Sequence, residues 1–406
     1  MTLQRLFVAD PGLTGQLGHH LGYSEAVALA AIEEGMAAMV LAGRGLDAAL
    51  AGVRVPMRAI FDTPYQSAGK SGTLRALIYG GLAHMPSGVA LRAADALRAA
   101  RRRLGGKQAD GFGAELAAAI AEEGATAEDA VLLHSVSGAN LAGLTAPLAP
   151  RLLIVLRRSP AEMDADDAGP EPVLALLRRL SDAPGLRVSL FADTEPLAAI
   201  FGQGTGLMVR PVPLPVVTTE RLSPSEGGLP HVVFAGGARL EKGYTALPAA
   251  IAASRGRARF TIQSGPLGPI SDPLVQQAHR QLRGLRDHSL TLVETALGQQ
   301  AYAALIASAD LLLLPYDGAS YGPRSSGILA EALALGIPAV VPSNCWMADA
   351  AGPERAVTIG SGQTVTAALA EALDRLPSLS AAAVAGCADW RRQHNPRSLL
   401  RALLRQ

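Results

Sequence analysis

The sequence has few cysteines, few aromatic residues and no long apolar run. Two of its 406 residues are cysteines, and aromatic side chains make up 4%. Cys345 and Cys387 lack the close spacing of metal ligands, so we expect free thiols in a reducing compartment. No apolar run approaches the ~18 residues that span a bilayer. The first ten residues also lack the basic segment and long apolar stretch of a signal peptide. These absences predict a cytoplasmic protein, with peripheral membrane contact left open.

The charges of the chain are nearly balanced, with 36 Lys and Arg against 35 Asp and Glu and a net charge of +1. Such a chain has no overall field that favours nucleic acid or an anionic membrane. Hydrophobic residues make up 49% of the chain, and its length suffices for two domains with separate cores. We therefore expect a soluble globular protein with no nucleic-acid partner.

The first half alternates short apolar strands with helices. Residues 6–9 predict a strand, which leads into the glycine-rich loop DPGLTGQLGHH and a helix over about residues 24–34. Strand, glycine loop and helix open a Rossmann-like unit. Gly12, Gly15 and Gly18 recur every third residue, which differs from the dinucleotide-binding pattern. Further strands are predicted at residues 36–42, 55–61, 130–135, 152–156, 187–191 and 207–212.

Three histidines lie where ligands collect in such sheets, at the carboxyl ends of strands. His19 and His20 follow the first strand and are candidate general bases, since imidazole titrates near neutral pH. If either histidine acts as a base, Asp129 is the nearest residue that could orient it. Alternatively, the two histidines face solvent and have no chemical role. His134 ends the strand at residues 130–135, where a substrate contact and a structural role are both open.

Two charged segments and one glycine-containing segment of the first half have competing interpretations. Asp164-Ala165-Asp166 could chelate a divalent cation, but a loop that opens a helix near Glu171 explains it better. The helix predicted at residues 91–104 carries five arginines, with Lys107 just beyond. A solvated face explains this basic patch, and a docking surface for anionic lipid or a phosphate-bearing acceptor is the alternative. The segment SAGKSGT lacks the first glycine of a Walker motif, because Pro64 stands there.

A connector separates the two halves at residues 211–230, which contain five prolines and several Ser, Thr and Gly residues. The second half starts again with a strand at residues 231–235, a loop at Gly236-Gly237-Ala238 and a helix at residues 244–253 that Pro248 interrupts. Arg239 and Lys242 lie in the connection between that loop and the helix. Further strands are predicted at residues 259–262 and 290–293, and a helix at residues 301–309.

The most informative stretch runs from residue 310 to residue 346. Residues 311–314 are apolar and end at Pro315, as in a strand buried on both faces of a parallel sheet. A polar loop follows, then a helix predicted from about Ser326 to Leu335 with Gly336 as its C-terminal cap. Residues 337–341 predict the next strand.

The start of this helix predicts a phosphate site. Free backbone amides, hydroxyls and a guanidinium converge at its positive end, which suits a phosphate group; they belong to Arg324, Ser325, Ser326 and Gly327. Glu331 leans back toward that end and could accept hydrogen bonds from ribose hydroxyls. A capped helix with a solvated glutamate is the structural alternative.

This segment resembles the donor-binding signature of GT-B glycosyltransferases, in particular the large retaining family 4-like group that makes bacterial glycans. The residues that carry the resemblance are Glu331, Ala332, Gly336, Pro338, Val340 and Val341, together with the triplet Glu241-Lys242-Gly243. The family has another glutamate eight residues before the one matched by Glu331, and Pro323 stands there. The family's contacts to the sugar ring are therefore not transferred to this chain.

The resemblance implies an α/β fold of two Rossmann-like domains that face each other across a cleft. Residues 1–212 would form the acceptor domain and residues 213–385 the nucleotide-sugar donor domain. A C-terminal helix of about residues 386–406 would pack back on the first domain, with Trp390 as its anchor.

The resemblance also implies roles for particular residues. Arg239 and Lys242 would clamp the donor diphosphate together with the residues at the helix start, and Glu331 would bind the ribose. His134 would contact the donor sugar. The nucleobase would lie in the loop of Val293, Glu294 and Thr295, and the cleft loop would contain Gly15 and Gly18. No metal is needed, because Arg239, Lys242 and the amides of residues 325–327 can offset the diphosphate charge. No cofactor is implied, since the nucleotide-diphosphate sugar is the substrate.

The implied function is hexosyl transfer from a nucleotide sugar to a glycan, lipid-linked or protein acceptor in bacterial surface polysaccharide or glycoconjugate synthesis. Retention of configuration is the family expectation. Inversion would need a base, for which His19 and His20 are the candidates. A GT-B nucleotide-sugar epimerase and a non-catalytic nucleotide-sugar-binding partner are the alternatives.

Overall fold

A computed structural model describes residues 4–15, 20–46, 53–62, 111–166, 171–218, 221, 228–267 and 272–405. The chain divides into two compact units. The first unit comprises Met1–Val212 and Leu400–Gln406, and the second comprises Pro213–Leu399. Each unit contains one parallel sheet.

The sheet of the first unit has seven parallel strands in the order β3-β2-β1-β4-β5-β6-β7. The order reverses between β1 and β4, and ligands of open α/β sheets bind at the carboxyl ends of strands at such a switch point. Between their end residues the central strands are apolar and buried, as in a parallel sheet that helices cover on both faces. The strands are β1 Arg5–Asp10, β2 Ala37–Gly43, β3 Met57–Phe61, β4 Ala130–Leu133, β5 Arg151–Leu156, β6 Val188–Ala192 and β7 Val209–Pro211.

The helices around this sheet are His20–Glu33, residues 111–122, Gly138–Ala142, Pro160–Asp166, Val173–Asp182 and Glu195–Thr205. The last helix of the chain, Pro396–Leu404, also contributes to this unit from Leu400 onward. Arg401 on it forms a 2.9 Å ion pair with Glu34.

The sheet of the second unit has six parallel strands in the order β10-β9-β8-β11-β12-β13, with its switch point between β8 and β11. The strands are β8 His231–Phe234, β9 Arg259–Gln263, β10 Leu290–Val293, β11 Leu311–Leu313, β12 Ala339–Pro342 and β13 Ala356–Ile359. Two 3-10 turns, Leu240–Lys242 and Tyr244–Ala246, follow β8. The helices are Leu247–Ala253, Pro273–Gly284, Gln299–Ala307, Gly318–Tyr321, Gly327–Leu335, Trp346–Ala351, Val365–Asp374 and Leu376–Gln393.

The prediction that Pro248 interrupts a helix was wrong. Pro248 lies in the first turn of the Leu247–Ala253 helix, where proline's missing N–H has no helical partner to lose. The residues before it form 3-10 turns instead. The first helix of the chain begins at His20, four residues earlier than predicted.

The prediction that Trp390 anchors the C-terminal helix on the first unit was also wrong. The indole Nε1 of Trp390 donates a 3.0 Å hydrogen bond to the carbonyl of Ala330 in the Gly327–Leu335 helix. Its ring stacks on His394 at 4.0 Å between centroids. Trp390 therefore belongs to the core of the second unit.

Asp164 lies in the Pro160–Asp166 helix rather than in a loop. Its Oδ1 accepts the backbone N–H of Val173 at 2.8 Å, at the start of the next helix, so it supports a helix N-terminus. Across the described ranges, no group of three or more His, Cys, Asp or Glu side chains is placed to hold a metal ion. Among these same residues, no helix is long and apolar enough to cross a membrane. The basic patch at residues 91–107 and the segment SAGKSGT lie outside the described residues.

Candidate functional site

The loop after β8 has a backbone that requires glycine. Gly236 and Gly237 have φ values of 103° and 83°, which L side chains rarely adopt. A Cβ on Gly236 would also lie 2.2 Å from the Nζ of Lys242. The side-chain Oε1 of Gln263 accepts both loop amides, at 2.7 Å from Gly236 and 3.0 Å from Gly237. Gln263 was not predicted as a site residue.

Lys242 lies beneath this loop and is only 7% exposed. Its Nζ donates a 2.8 Å hydrogen bond to the carbonyl of Gly236 and lies 5.4 Å from the ring centroid of Tyr316. Burial lowers the pKa of Lys242 to about 7, and the positive charges of Arg239 and Arg324 act in the same direction. An anion bound here would reverse that effect, because it favours the ammonium form.

The Gly327–Leu335 helix begins and ends where the sequence predicts. Ser326 is the N-cap, and its Oγ accepts the N–H of Leu329 at 3.3 Å. Gly327 is exposed, and a Cβ added to it would meet no atom within 4 Å. Gly336, with φ 70°, ends the helix in the left-handed conformation. The amide end of this helix therefore offers an open positive pole.

Glu331 lies one turn into the same helix. Burial raises the pKa of its carboxyl group to about 7. Tyr302 is a neighbour, and the negative charge of Glu331 adds to the effect of burial in raising the pKa of that phenol. Within the described part of the chain, the carboxyl group of Glu331 makes no hydrogen bond and no ion pair. A largely buried carboxyl group of this kind can accept hydrogen bonds from sugar hydroxyls.

The structure brings these groups together at the switch point of the second sheet. The amide of Asp317, after β11, donates a 2.9 Å hydrogen bond to the carbonyl of Glu241 in the turn after β8. Gly243 packs so closely on this segment that a Cβ would lie 1.8 Å from the carbonyl oxygen of Pro315. Arg324 follows with its guanidinium 4.8 Å from the ring centroid of Tyr321. Arg239 differs from Lys242 in being exposed, and it pairs with Glu241 at 3.2 Å.

The predicted nucleobase loop is fixed by internal hydrogen bonds. The carbonyl of Val293 accepts the amides of Ser264 and Gly265 at 3.0 and 3.3 Å. Glu294 accepts hydrogen bonds from Arg283 Nε at 2.8 Å and from His279 Nε2 at 2.7 Å. Arg283 and then His279 thereby lower the pKa of Glu294. Thr295 is exposed, so the loop has a rigid base and an exposed edge.

In the first unit, Asp10 and His134 meet at the switch point, because β1 ends at Asp10 and His134 directly follows β4. Both residues are fully buried. Oδ2 of Asp10 accepts the hydroxyl of Ser24 at 3.0 Å and lies 3.3 Å from Nε2 of His134. Burial alone would raise the pKa of Asp10, but His134 and His20 hold it well below its usual range.

His134 has internal partners on both ring nitrogens. Its Nε2 lies 2.9 Å from the hydroxyl of Ser24, and its Nδ1 lies 3.0 Å from the hydroxyl of Ser135. Tyr23 stacks on the ring at 4.0 Å, and burial lowers the pKa of His134. The ring therefore supports the sheet edge from within, and a contact of His134 with a donor sugar stays a prediction.

This cluster is not a Ser-His-Asp triad of a hydrolase. In such a triad, the serine and the carboxylate bind opposite nitrogens of the imidazole. Here Ser24 and Asp10 both approach Nε2 of His134, and Ser24 is fully buried.

His20 lies at the rim of the cluster, with its side chain 15% exposed. Its Nδ1 is 2.8 Å from Oδ1 of Asp10, and a Cβ on Gly12 would lie 2.3 Å from its Cε1. Asp10 rather than Asp129 orients this imidazole, so that prediction was wrong. Asp129 precedes β4 and pairs with Arg5 at 2.8 Å. Position explains the difference, because Asp129 lies at the amino end of its strand and His20 packs at the carboxyl edge.

The remaining predicted residues of the first unit are less informative. A Cβ on Gly15 would meet nothing within 4 Å, and His19 and Gly18 lie outside the described residues. Sequence reasoning missed Arg157 and Asp193, which follow β5 and β6 and pair at 3.4 Å. The available signal was a polar residue directly after each buried strand.

Comparison with solved structures finds the same fold over nearly the whole chain. Sucrose-phosphate synthase from Thermosynechococcus elongatus matches with a TM-score of 0.66 at 13% identity, covering 98% of this chain and 96% of that one. A glycosyltransferase from Rickettsia africae matches with a TM-score of 0.64 at 11% identity, covering 99% and 97%. HepE from Anabaena, in complex with UDP and glucose, matches with a TM-score of 0.60 at 14% identity, covering 98% and 97%.

No protein-family model matches the chain, and no curated protein matches it by sequence. At identities of 11–14%, the structural likeness concerns the fold. The chain contains two parallel sheets of seven and six strands, and nearly its whole length matches glycosyltransferase structures. The predicted fold class is therefore confirmed: the chain has the GT-B fold.

Proposed function

We propose that this protein is a glycosyltransferase that binds a nucleotide-diphosphate sugar in its second unit. The observation that carries the proposal is the convergence of Lys242, Arg239 and Arg324 near the amide end of the Gly327–Leu335 helix, at the switch point of the sheet. These groups concentrate positive charge around a buried ammonium group. A diphosphate supplies the opposite charge in the geometry that a helix N-terminus prefers.

The same arrangement suits the chemistry of transfer. When the bond between the sugar C1 and the diphosphate oxygen breaks, negative charge grows on the leaving diphosphate. Fixed cations and amides stabilise that charge without reorganisation. Lys242, Arg239, Arg324 and the amide of Gly327 would take this role, and Ser325 and Ser326 supply hydroxyl donors beside them.

The nucleoside would lie alongside the same helix. Glu331 would accept hydrogen bonds from the ribose hydroxyls, and the loop of Val293, Glu294 and Thr295 would contact the nucleobase. The solved structure of HepE contains UDP and glucose, and it supports a nucleotide sugar as the ligand class. A hexose is the sugar that we propose.

We propose further that the first unit binds the acceptor, a glycan, a lipid-linked sugar or a protein. The resemblance favours a role in bacterial surface polysaccharide or glycoconjugate synthesis in the cytoplasm, with the basic segment at residues 91–107 near the membrane. It also favours retention of configuration. Inversion is the alternative, because Pro323 replaces the family glutamate and because Asp10 holds His20, a candidate base. The anomeric configuration of the product distinguishes the two.

Thermal-shift titration with UDP, GDP, dTDP, ADP and CMP, and then with their sugars, tests the proposal. We expect one nucleotide to raise the melting temperature, and Lys242→Ala and Glu331→Ala to abolish this shift. Arg257→Ala and Glu354→Gln are matched controls, because both side chains precede strands of the same unit at the opposite edge of the sheet. A wild-type protein that none of these nucleotides stabilises would overturn the proposal.

A further inference from the structure

The side chain of Gln263 ends β9 and reaches under the glycine loop that follows β8. It is 9% exposed. Both contacts of its Oε1 are with backbone N–H groups, those of Gly236 and Gly237. Two N–H donors require the carbonyl oxygen of the amide, which fixes its orientation. The other end of the amide, Nε2, therefore faces away from the loop.

The direction of Nε2 follows from a neighbouring glycine. A Cβ on Gly265 would lie 3.6 Å from Nε2, so the amino group lies beside the Ser264-Gly265 turn at the carboxyl edge of the sheet. No described residue accepts a hydrogen bond from Nε2. Nε2 is also absent from the set of described buried polar atoms that lack a partner, so solvent can reach it. A polar hydrogen-bond donor pair thus reaches the surface at this edge.

The position of this donor is tied to that of Lys242. The peptide unit between Gly236 and Gly237 gives its N–H to Gln263 and receives the ammonium of Lys242 on its carbonyl. One peptide unit of the loop therefore connects the amide of Gln263 to the cation of the proposed diphosphate site. Gln263 ends β9 and Lys242 lies in the turn after β8, so both residues belong to the carboxyl edge of the second sheet.

We propose that Gln263 is a donor-binding residue with two functions: its oxygen holds the glycine loop, and its Nε2 donates to an oxygen of the bound diphosphate. The inference rests on the proposed function and adds a residue to that site. The first function requires only an acceptor at Oε1. The second requires an amino group at Nε2, and a glutamate lacks it.

Gln263→Glu separates the two functions, because a carboxylate has nearly the same shape and still accepts both loop amides. It replaces the donor by a negatively charged acceptor that repels a diphosphate. We expect an unchanged melting temperature in the absence of ligand and a Kd for the stabilising nucleotide that rises about tenfold or more. Gln263→Met removes both functions, so it should lower the melting temperature and also weaken binding.

Gln363→Glu is the matched control, because Gln363 also accepts a loop amide, that of Gly360 at 3.1 Å, elsewhere in the second unit. Its Kd should equal that of the wild type. Inorganic pyrophosphate is then used as a competitor. In Gln263→Glu its affinity should be weakened by the same factor as the affinity of the nucleotide. A weakening confined to the nucleotide would overturn the assignment to the diphosphate.

Gln263→Glu with the wild-type Kd would overturn the inference and leave the proposed function intact. A fall in the melting temperature of Gln263→Glu equal to that of Gln263→Met would also contradict it, because the carboxylate would then have failed to hold the loop. A wild-type protein that binds no nucleotide would overturn the inference together with the proposed function.

Discussion

The lowered pKa of Lys242 makes both the stability of the protein and ligand binding at the proposed site depend on pH. Its pKa in the folded protein is about 7, against an ordinary value of 10.5. Between these values the unfolded chain holds a proton that the folded chain lacks. The contribution of Lys242 to the free energy of unfolding therefore rises with pH across this window. A bound diphosphate favours the ammonium form, so ligand binding takes up a proton there.

We accordingly expect nucleotide affinity to fall as pH rises above about 7, by up to about tenfold per pH unit for one linked proton. Calorimetric titration between pH 7 and 9, in buffers of different ionisation enthalpy, measures both the slope and the proton uptake. This range avoids the nucleotide's own phosphate titration near pH ~6. Glu331 titrates in the same region, so the slope should be measured in Glu331→Gln as well. An affinity independent of pH in that variant would contradict the prediction.

Glu331 should destabilise the ligand-free protein at alkaline pH. Burial raises its pKa from 4.5 to about 7, so between these values the folded state binds a proton that the unfolded state has released. The free energy of unfolding falls as pH rises through this window. Glu331→Gln removes the ionisation, and we expect a higher melting temperature than the wild type at pH 8 together with weaker nucleotide binding. Equal melting temperatures at pH 8, with a difference at pH 5, would refute this reasoning.

At the scale of elements, the Gly327–Leu335 helix is held in place by the Leu376–Gln393 helix. Trp390 supplies the link through its hydrogen bond to Ala330 and its packing in the core. The helix whose start is proposed to bind the diphosphate therefore depends on a side chain sixty residues away.

Trp390→Ala should lower the free energy of unfolding by about 3–5 kcal/mol, as large aromatic truncations in cores do, and it should weaken nucleotide binding. Trp390→Phe keeps much of the packing and loses the hydrogen bond, so a loss of about 1 kcal/mol is expected. Urea denaturation and nucleotide titration measure the two effects. Arg391→Ala, exposed on the same helix, is the control. A Trp390→Ala variant with full stability would show that this contact does not hold the helix.

Element types were predictable from the sequence wherever a local pattern determines them. Apolar runs bounded by glycine and proline located strands in both sheets, and Ser326 and Gly336 marked the ends of the Gly327–Leu335 helix. Pro248 was misread because a proline at a helix start and one inside a helix look alike until the boundary is known.

At the scale of the whole molecule, the unpredicted part is the pairing of side chains from different strands. Asp10, Ser24 and His134 are brought together by the neighbouring positions of β1 and β4, and Gln263 reaches Gly236 because β8 lies beside β9. Residue types and spacing do not contain that information, because the strand order is set by how helices cover the sheet faces. The sequence thus indicated Lys242 and Glu331 from local motifs and gave no sign of the Gln263 contact or the Asp10 cluster.

Binding of a nucleoside diphosphate at the carboxyl edge of the second sheet should protect that edge from solvent exchange. Hydrogen–deuterium exchange of the full chain, with and without the stabilising nucleotide, measures this protection. We predict slower exchange at residues 236–243, 263–265 and 324–331, and no such protection in Lys242→Ala at the same nucleotide concentration. Protection that is absent from these three segments, or confined to the first unit, would show that the nucleotide does not bind at this edge.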